Sequence, residues 1–252
     1  MPKIKKITGK LLREWLRAEE FKKWCDLKQK GKGILLFQEY KPANHWINSR
    51  NGLSVSEWKE ALKMIGNVSN VRSMPGRSKD GSQCRHCTEF ETLPHILGFC
   101  RYGALLRNTR HHAIRELIAK NLPPTFEVHQ EVHCIAEQGS SRRVDIIAID
   151  REKDTAIIID PTVRFETGEN QPLEVNEEKK AIYEATVNYL KEKYHISGNI
   201  AVFGLLIGAR GTIPKFLVQF CKKYKIPVTV LKDIATTAVK YSVQILRNHL
   251  YT

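Results

Sequence analysis

The chain has 252 residues, 42% of them hydrophobic and 27% charged, a composition that excludes wholesale disorder. Forty-one Lys and Arg against 27 Asp and Glu leave a net charge of +14, which points to a polyanionic partner such as a phosphate backbone. No apolar run reaches the ~18 to 20 residues that a bilayer span needs, and no apolar core follows the basic start MPKIKKITGK. Neither a membrane partner nor a secretion signal is therefore expected, and the chain reads as intracellular. The charge is uneven: residues 1–80 carry 18 basic and 8 acidic side chains, residues 81–122 carry 6 and 3, and residues 123–252 carry 17 and 16. An excess of that size over a whole region marks the first third as the part that grips a polyanion.

In chain order, residues 9–30 fit an amphipathic helix, with Leu11, Leu12, Trp15, Leu16, Phe21, Trp24 and Leu27 on one side. Ser54-x-x-Glu57 is a capping box for a second helix carrying Val55, Trp58, Leu62 and Ile65 at helical spacing. The four tryptophans, Trp15, Trp24, Trp46 and Trp58, read as core, because three of them keep phase with Leu and Ile. Asn67 to Ser82 is a polar, basic connector without periodicity. A helix is expected over 108–119, followed by strands over 126–135, 144–149 and 156–159. Beyond them come a helix over 174–194, a strand over 200–207, a helix over 212–224, a strand over 226–231 and a closing helix over 233–249. That order predicts an α/β domain with a mixed sheet. The division expected is a basic helical region at 1–82, a cysteine-rich unit at 83–107 and the α/β domain at 108–252.

The cysteine-rich unit carries Cys84, Cys87, His95 and Cys100 as C-x2-C-x7-H-x4-C. Two thiolates two residues apart, closed by an imidazole and a third thiolate, suit a tetrahedral structural Zn(II) site with no position left for a catalytic water. So short a segment has no room for a hydrophobic core, so the metal would supply most of its folding energy. His86 is a competing ligand inside the Cys-x2-Cys turn. Cys25, Cys134 and Cys221 stand alone and read as buried small apolar side chains.

Two strand carboxylates form a second constellation. A hairpin whose loop is Glu152-Lys153, or the four residues 151–154, sets Asp145 opposite Asp160 on one face, and a slip of one residue would separate them. Facing carboxylates repel unless a cation lies between them, and hard oxygen donors suit Mg(II) or Mn(II) acting on a phosphodiester. On the helix 174–194, Lys179 falls at the centre of the apolar arc of Val175, Ile182, Tyr183, Thr186, Val187 and Leu190, with Lys180 at its edge. Lys179 is thus the candidate to assist a nucleophile or to hold charge developing on phosphate. Glu131 and Glu116 are further acids that read as surface residues. Arg85, Arg101, Arg107, Arg110 and His111, around the cysteine unit, are candidates for contact with phosphates and bases.

These residues carry a resemblance. Cys84 to Cys100 with the following RYGALLRNTRHHA, then Arg143-Val-Asp145, Ile158-Ile-Asp160 and Glu178-Lys179, resemble the C-terminal part of non-LTR retrotransposon polyproteins that insert into ribosomal RNA genes. In that family a CCHC zinc knuckle precedes a restriction-like endonuclease of the PD-(D/E)XK superfamily. The resemblance covers about residues 45 to 252. It implies a PD-(D/E)XK restriction-endonuclease-like sheet flanked by helices and a metal-dependent DNA endonuclease that nicks target DNA in the nucleus for target-primed reverse transcription. Asp145 and Asp160 would hold Mg(II) or Mn(II), with Lys179 assisting, and target DNA and element RNA would be partners. No small-molecule substrate is implied.

The chain departs from the family pattern in places. Val144 stands before the first Asp where the motif has Pro, Asp160 replaces a frequent Glu, and Thr162 occupies the usual Lys position. Arg110-His111-His112 stands for the family's Arg-His-Asn. No Ala-Asp-Asp or similar polymerase signature is present, so the chain reads as the C-terminal fragment of a polyprotein whose reverse transcriptase lies upstream. The alternative is a nuclease-like fold that binds nucleic acid without cutting it. A transcription factor is the poorer reading, since one knuckle offers no long recognition helix.

Overall fold

The computed structural model describes residues 8–76 and 81–252. The reading of residues 1–7 as lacking a signal core, and the 77–80 portion of the expected connector, lie outside the described residues.

Thr8 starts α1 (Gly9–Cys25), its hydroxyl accepting from the Leu11 N–H. The helix ends earlier than expected, and turns carry the chain from Asp26 to the short α2 (Leu36–Glu39). Its apolar side is mostly uncovered among the described residues. Leu11, Leu12, Trp15 and Leu16 are exposed, while Phe21 and Trp24 pack against a core, so Trp15 is not the core residue expected. After a 3-10 turn (Lys41–His45) come α3 (Trp46–Ser49) and α4 (Val55–Ile65). The α4 capping box forms as predicted: Ser54 Oγ accepts from the Glu57 N–H at 3.3 Å and Glu57 returns a carboxylate to the Ser54 N–H at 2.8 Å. Next follow α5 (Leu93–Gly98) and α6 (Ala104–Lys120), the latter starting ahead of the expected helix.

Four strands build one sheet in the order β1 (Phe126–Ile135), β2 (Ser141–Asp150), β3 (Thr155–Arg164), β4 (Ile200–Gly208). β1, β2 and β3 are antiparallel neighbours, and β4 joins β3 in parallel after a crossover through α7 (Gln171–Tyr183), a 3-10 turn (Glu184–Thr186) and α8 (Val187–Tyr194). Both faces of the sheet are covered. Ile146, Ala148, Ile157, Ile159, Leu205 and Ile207 share one core with α6, α9 (Lys215–Lys223) and α10 (Val230–Tyr251). Ile147, Ile149, Ile158 and Val202 share another with Tyr183 and Leu190. Burial on two sides explains why β2 and β3 read as near-continuous apolar runs.

The strand expected at 226–231 is not formed. Ile226 N–H closes the end of α9 on Cys221 O, and the Val230 and Leu231 amides turn back to Pro227 O and Val228 O as α10 begins. Pro227 has no N–H for a ladder, and the apolar side chains bury in the same core from a turn and a helix as well as they would from a strand.

A third core joins what the sequence divided. Trp46, Ala61 and Met64 from the N-terminal helices pack with Ile96 and Leu97 of α5 and with Val239, Val243 and Leu246 of α10. A fully buried ion pair binds the same parts. Arg210 Nε lies 2.9 Å from Glu166 Oε2, and its guanidinium also donates to Ile65 O and Lys32 O at 2.8 and 2.6 Å. Packing thus crosses both expected boundaries, near 82 and near 107.

Candidate functional site

The β2/β3 ladder runs from Asp150 opposite Thr155 to Ile146 opposite Ile159, in the register expected, around the four-residue loop 151–154. Asp145 and Asp160 are the next residues on each strand. They lie on the face of Ile147 and Ile158, because alternate strand residues share a side. Both line a cavity of about 340 Å³ with Gly98, Arg107, Asn108, Arg110 and His111 from the α5–α6 side, Thr162 from β3 and Lys179 from α7.

Asp160 is buried and closely held. Lys179 Nζ lies 3.0 Å from its Oδ2, the Tyr183 hydroxyl donates to the same oxygen at 2.9 Å, and the Thr162 hydroxyl donates to Oδ1 at 2.8 Å. Burial, with the Asp160 charge beside it, pushes the Tyr183 phenol far above its ordinary pKa, so it stays a neutral donor. Lys180 turns away to Glu177 at 2.8 Å. The helix breaks into a 3-10 turn after Tyr183, so the arc that selected Lys179 does not continue unbroken to Leu190. Lys179 and Tyr183, one helical turn apart, share the sheet-facing side. Tyr183 was legible from that spacing, but its role became visible only from the position of Asp160.

Asp145 meets His111 Nε2 at 3.2 Å through Oδ1. Beside it, Glu131 takes a left-handed backbone (φ 54°) between the Gln130–Ile146 and Val132–Val144 pairs of the β1/β2 ladder. Its carboxylate is matched by Arg115, by Arg143 at 2.6 Å and by His112 at 3.5 Å. Glu116 pairs with Arg115 and Lys120. Neither glutamate lines the cavity. Two carboxylates with oxygen lone pairs to spare are a donor set that fits a hard divalent ion.

The second cluster is the cysteine unit. A turn closed by the Cys84 N–H on Glu89 O presents Cys84 and Cys87. Thr92 caps α5, which presents His95, and Cys100 follows that helix with its N–H on His95 O. The four ligand atoms all lie within 4.8 Å of one another, with Cys84 Sγ 3.9 Å from Cys100 Sγ and Cys87 Sγ 3.2 Å from His95 Nε2. Burial pushes the Cys84 thiol up to about 12 and holds His95 below its ordinary value. A neutral imidazole is the form that ligates, and a buried thiolate needs a cation to offset its charge, so the Cys3His set could hold Zn(II).

His86 does not compete for that position. Its ring stacks on Tyr102 at 3.8 Å and its Nε2 contacts His249 O at 2.9 Å. His249 of α10 is a contact the sequence did not suggest: its Nε2 lies 3.6 Å from Cys84 Sγ and 3.2 Å from Glu91 Oε2. Cys84, Glu91 and His249 also lie close enough to share an ion. Glu91, however, already accepts from the Arg72 and Arg85 amides, so Glu91 and His249 read as a buttress behind Cys84.

The basic residues expected at a nucleic-acid surface divide. Arg101 is exposed, and Arg85 is exposed in part while pairing with Glu91 at 3.4 Å. Arg107 leans back onto Cys100 O, and His111 onto Asp145. Arg110 is 2% exposed and spends two donors on Leu97 O and Ser242 Oγ, so it ties α6 to α5 and α10 and does not stand on the surface. Of the isolated cysteines, Cys134 and Cys221 are buried and Cys25 is half-buried.

No protein-family model matches the chain. The chain is similar to the retrovirus-related Pol polyprotein from the type-1 retrotransposable element R2 of Popillia japonica, with 26% identity over 218 residues, 81% of this chain and 34% of that polyprotein. It therefore spans about a third of the length of that curated relative. Among the described residues no helix is long and apolar enough to cross a membrane.

Proposed function

We propose that the chain is the DNA-nicking portion of a retrotransposon polyprotein, a metal-dependent endonuclease of the PD-(D/E)XK type acting in the nucleus. The observation that carries this reading is the arrangement of Asp145 and Asp160 at the end of one ladder, in one cavity, with Lys179 Nζ 3.0 Å from Asp160. Similarity to the R2 Pol polyprotein supports the retrotransposon context, and the Cys3His cluster supports a zinc knuckle beside the nuclease.

Asp145 and Asp160 would hold Mg(II) or Mn(II), and a bound ion there would polarise the phosphodiester and lower the pKa of a bound water. Thr162 and Tyr183 fix the orientation of Asp160, so that carboxylate needs no reorganisation when substrate arrives. The Lys179 ammonium is placed to stabilise negative charge growing on a phosphate oxygen. Hydrolysis breaks the bond from phosphorus to the 3′ oxygen, adds the water oxygen to phosphorus, and leaves the 3′-hydroxyl that primes reverse transcription.

One observation favours the second reading, a binding module without nuclease activity: both carboxylates already have side-chain partners, Lys179 Nζ at 3.0 Å from Asp160 and His111 Nε2 at 3.2 Å from Asp145. Supercoiled-plasmid nicking with Mg(II) or Mn(II) separates the two. Nicking that needs the ion and disappears in Asp145→Ala, Asp160→Ala and Lys179→Ala is expected. DNA binding with no nicking under either ion would favour the second reading, and nicking that survives Asp145→Ala and Asp160→Ala would refute the site.

A further inference from the structure

The end of the sheet away from Asp145 and Asp160 carries another cavity, of about 450 Å³, between the β2–β3 turn, the start of β4 and the end of α9. Asp150 and Thr155 mark that end of the ladder, about 17 Å along the strands from Asp145 and Asp160 at the rise of an extended chain, so the two sites are separate. Phe126, Ile157, Ala201 and Tyr224 give the cavity an apolar floor, and the Phe126 and Phe203 rings stand edge-on to Tyr224 with centroids 6.4 and 5.5 Å away. Three exposed lysines border it: Lys153 from the turn, and Lys223 and Lys225 from the end of α9. The Lys223 ammonium lies 5.4 Å from the Phe203 ring centre and 5.2 Å from that of Tyr224. Neither it nor Lys225 pairs with a carboxylate among the described residues. Asp150 is the one acidic residue in the lining, and Lys153 already holds it at 2.5 Å. A helix end attracts basic side chains to its last turn, but that does not account for this cluster. Lys225 lies beyond α9 at φ 56°, where glycine is the unstrained residue, and Lys153 arrives from a different element.

We propose that this cavity binds one nucleotide, its base on the floor of Phe126, Ala201 and Tyr224 and its phosphate on Lys223 and Lys225. Two ammoniums without carboxylate partners call for an anion, and the apolar floor beside them calls for a flat group on the same molecule. A nucleoside phosphate carries both, whereas an acidic peptide supplies the charge without the ring. The volume falls in the range of about 300 to 1,000 Å³ common to small-ligand sites, so one nucleotide and not a duplex is the occupant. That nucleotide is either free or a unit of a strand. The inference draws on the nucleic-acid partner of the proposed function and not on nicking, so its failure would leave the reading of Asp145 and Asp160 standing.

The test is a chemical-shift titration of the isotope-labelled full chain with AMP, ribose 5-phosphate and inorganic phosphate. AMP should move the Asn199 and Lys225 amides, and ribose 5-phosphate should bind about fivefold more weakly or worse, the size of one lost stacking contact. Lys223→Gln with Lys225→Gly should weaken AMP by about tenfold or more, the loss expected when charged donors to a phosphate are removed. Glycine suits the left-handed position, so this variant should stay folded, which thermal melting verifies. Lys223→Arg with Lys225→Arg should keep AMP binding. A phosphorylated dA12 that displaces AMP would assign the nucleotide to a strand, and failure to displace it would assign a free nucleotide. No shift at these amides with AMP, equal affinity for AMP and inorganic phosphate, or AMP binding unchanged in the glutamine and glycine variant would each overturn the inference. Tighter binding of hexaglutamate than of AMP would overturn it in favour of an acidic protein partner. Nicking is read separately, because these variants leave Asp145, Asp160 and Lys179 untouched.

Discussion

Gly204 of β4 lies so close to Lys179 of α7 that a methyl group added to the glycine would stand 2.6 Å from the lysine Cγ and 2.6 Å from Val175 O. The Gly204 N–H also donates to the buried Asn176 side chain at 3.2 Å. The missing Cβ therefore lets α7 settle on the sheet, and that settling brings the lysine within reach of Asp160, which pairs with Gly204 across the β3/β4 ladder.

Gly204→Ala should accordingly push α7 outward. A stability loss of about 1–3 kcal/mol is expected, as for overpacking in general. Nicking should fall further than stability explains, because the lysine moves with its helix. Urea denaturation beside plasmid nicking measures both, and a variant with full stability and full nicking would contradict this role for the glycine.

Tyr183→Phe removes one donor from Asp160 while keeping the ring in its core. A loss of about 1–2 kcal/mol of net interaction corresponds to a nicking rate lower by roughly 5- to 30-fold. The folded phenol has a raised pKa, so its hydrogen bond is present at and below neutral pH and is lost only under strongly alkaline conditions. Wild type and variant should therefore differ by the same factor from pH 6 to 8, and a gap that changes across that range would count against it.

Removing the metal should expose the cysteine unit selectively. A strong chelator is expected to make Cys84, Cys87 and Cys100 reactive towards a thiol reagent, and Cys84→Ser should abolish tight zinc binding. His249→Ala should weaken zinc retention by only about 10- to 100-fold, the size expected for a residue supporting a ligand. Complete loss of zinc in His249→Ala would make the histidine a ligand.

The buried Glu166–Arg210 pair should behave asymmetrically. Arg210→Met alone is expected to cost about 3–5 kcal/mol, because it strands a carboxylate with no exposure to water. Arg210→Met with Glu166→Gln should cost less than the sum of the single changes. Thermal melts of the four proteins in a cycle give the coupling, and simple additivity would show that the pair does not hold the N-terminal helices to the sheet.

Local patterns made much of this molecule legible. The capping box at Ser54, the Cys3His spacing and the β2–β3 hairpin are short-range arrangements in which neighbouring residues dictate the geometry. The hairpin register followed from two β-branched runs around a four-residue polar loop, and that register is what sets Asp145 and Asp160 at one level. Where an apolar run could bury equally well from a strand or from a helix start, as at 226–231, composition could not choose.

The chain by itself determined the Cys3His cluster, the β2–β3 hairpin and the basic balance that points to nucleic acid. Only the tertiary structure decided which cations meet which carboxylates: that Lys179 reaches Asp160 while Lys180 does not, that Arg110 is internal, and that His249 closes behind Cys84. Those outcomes depend on how closely α7 and α10 approach the sheet and the cysteine unit, and that approach is set by small residues and buried pairs far apart in sequence.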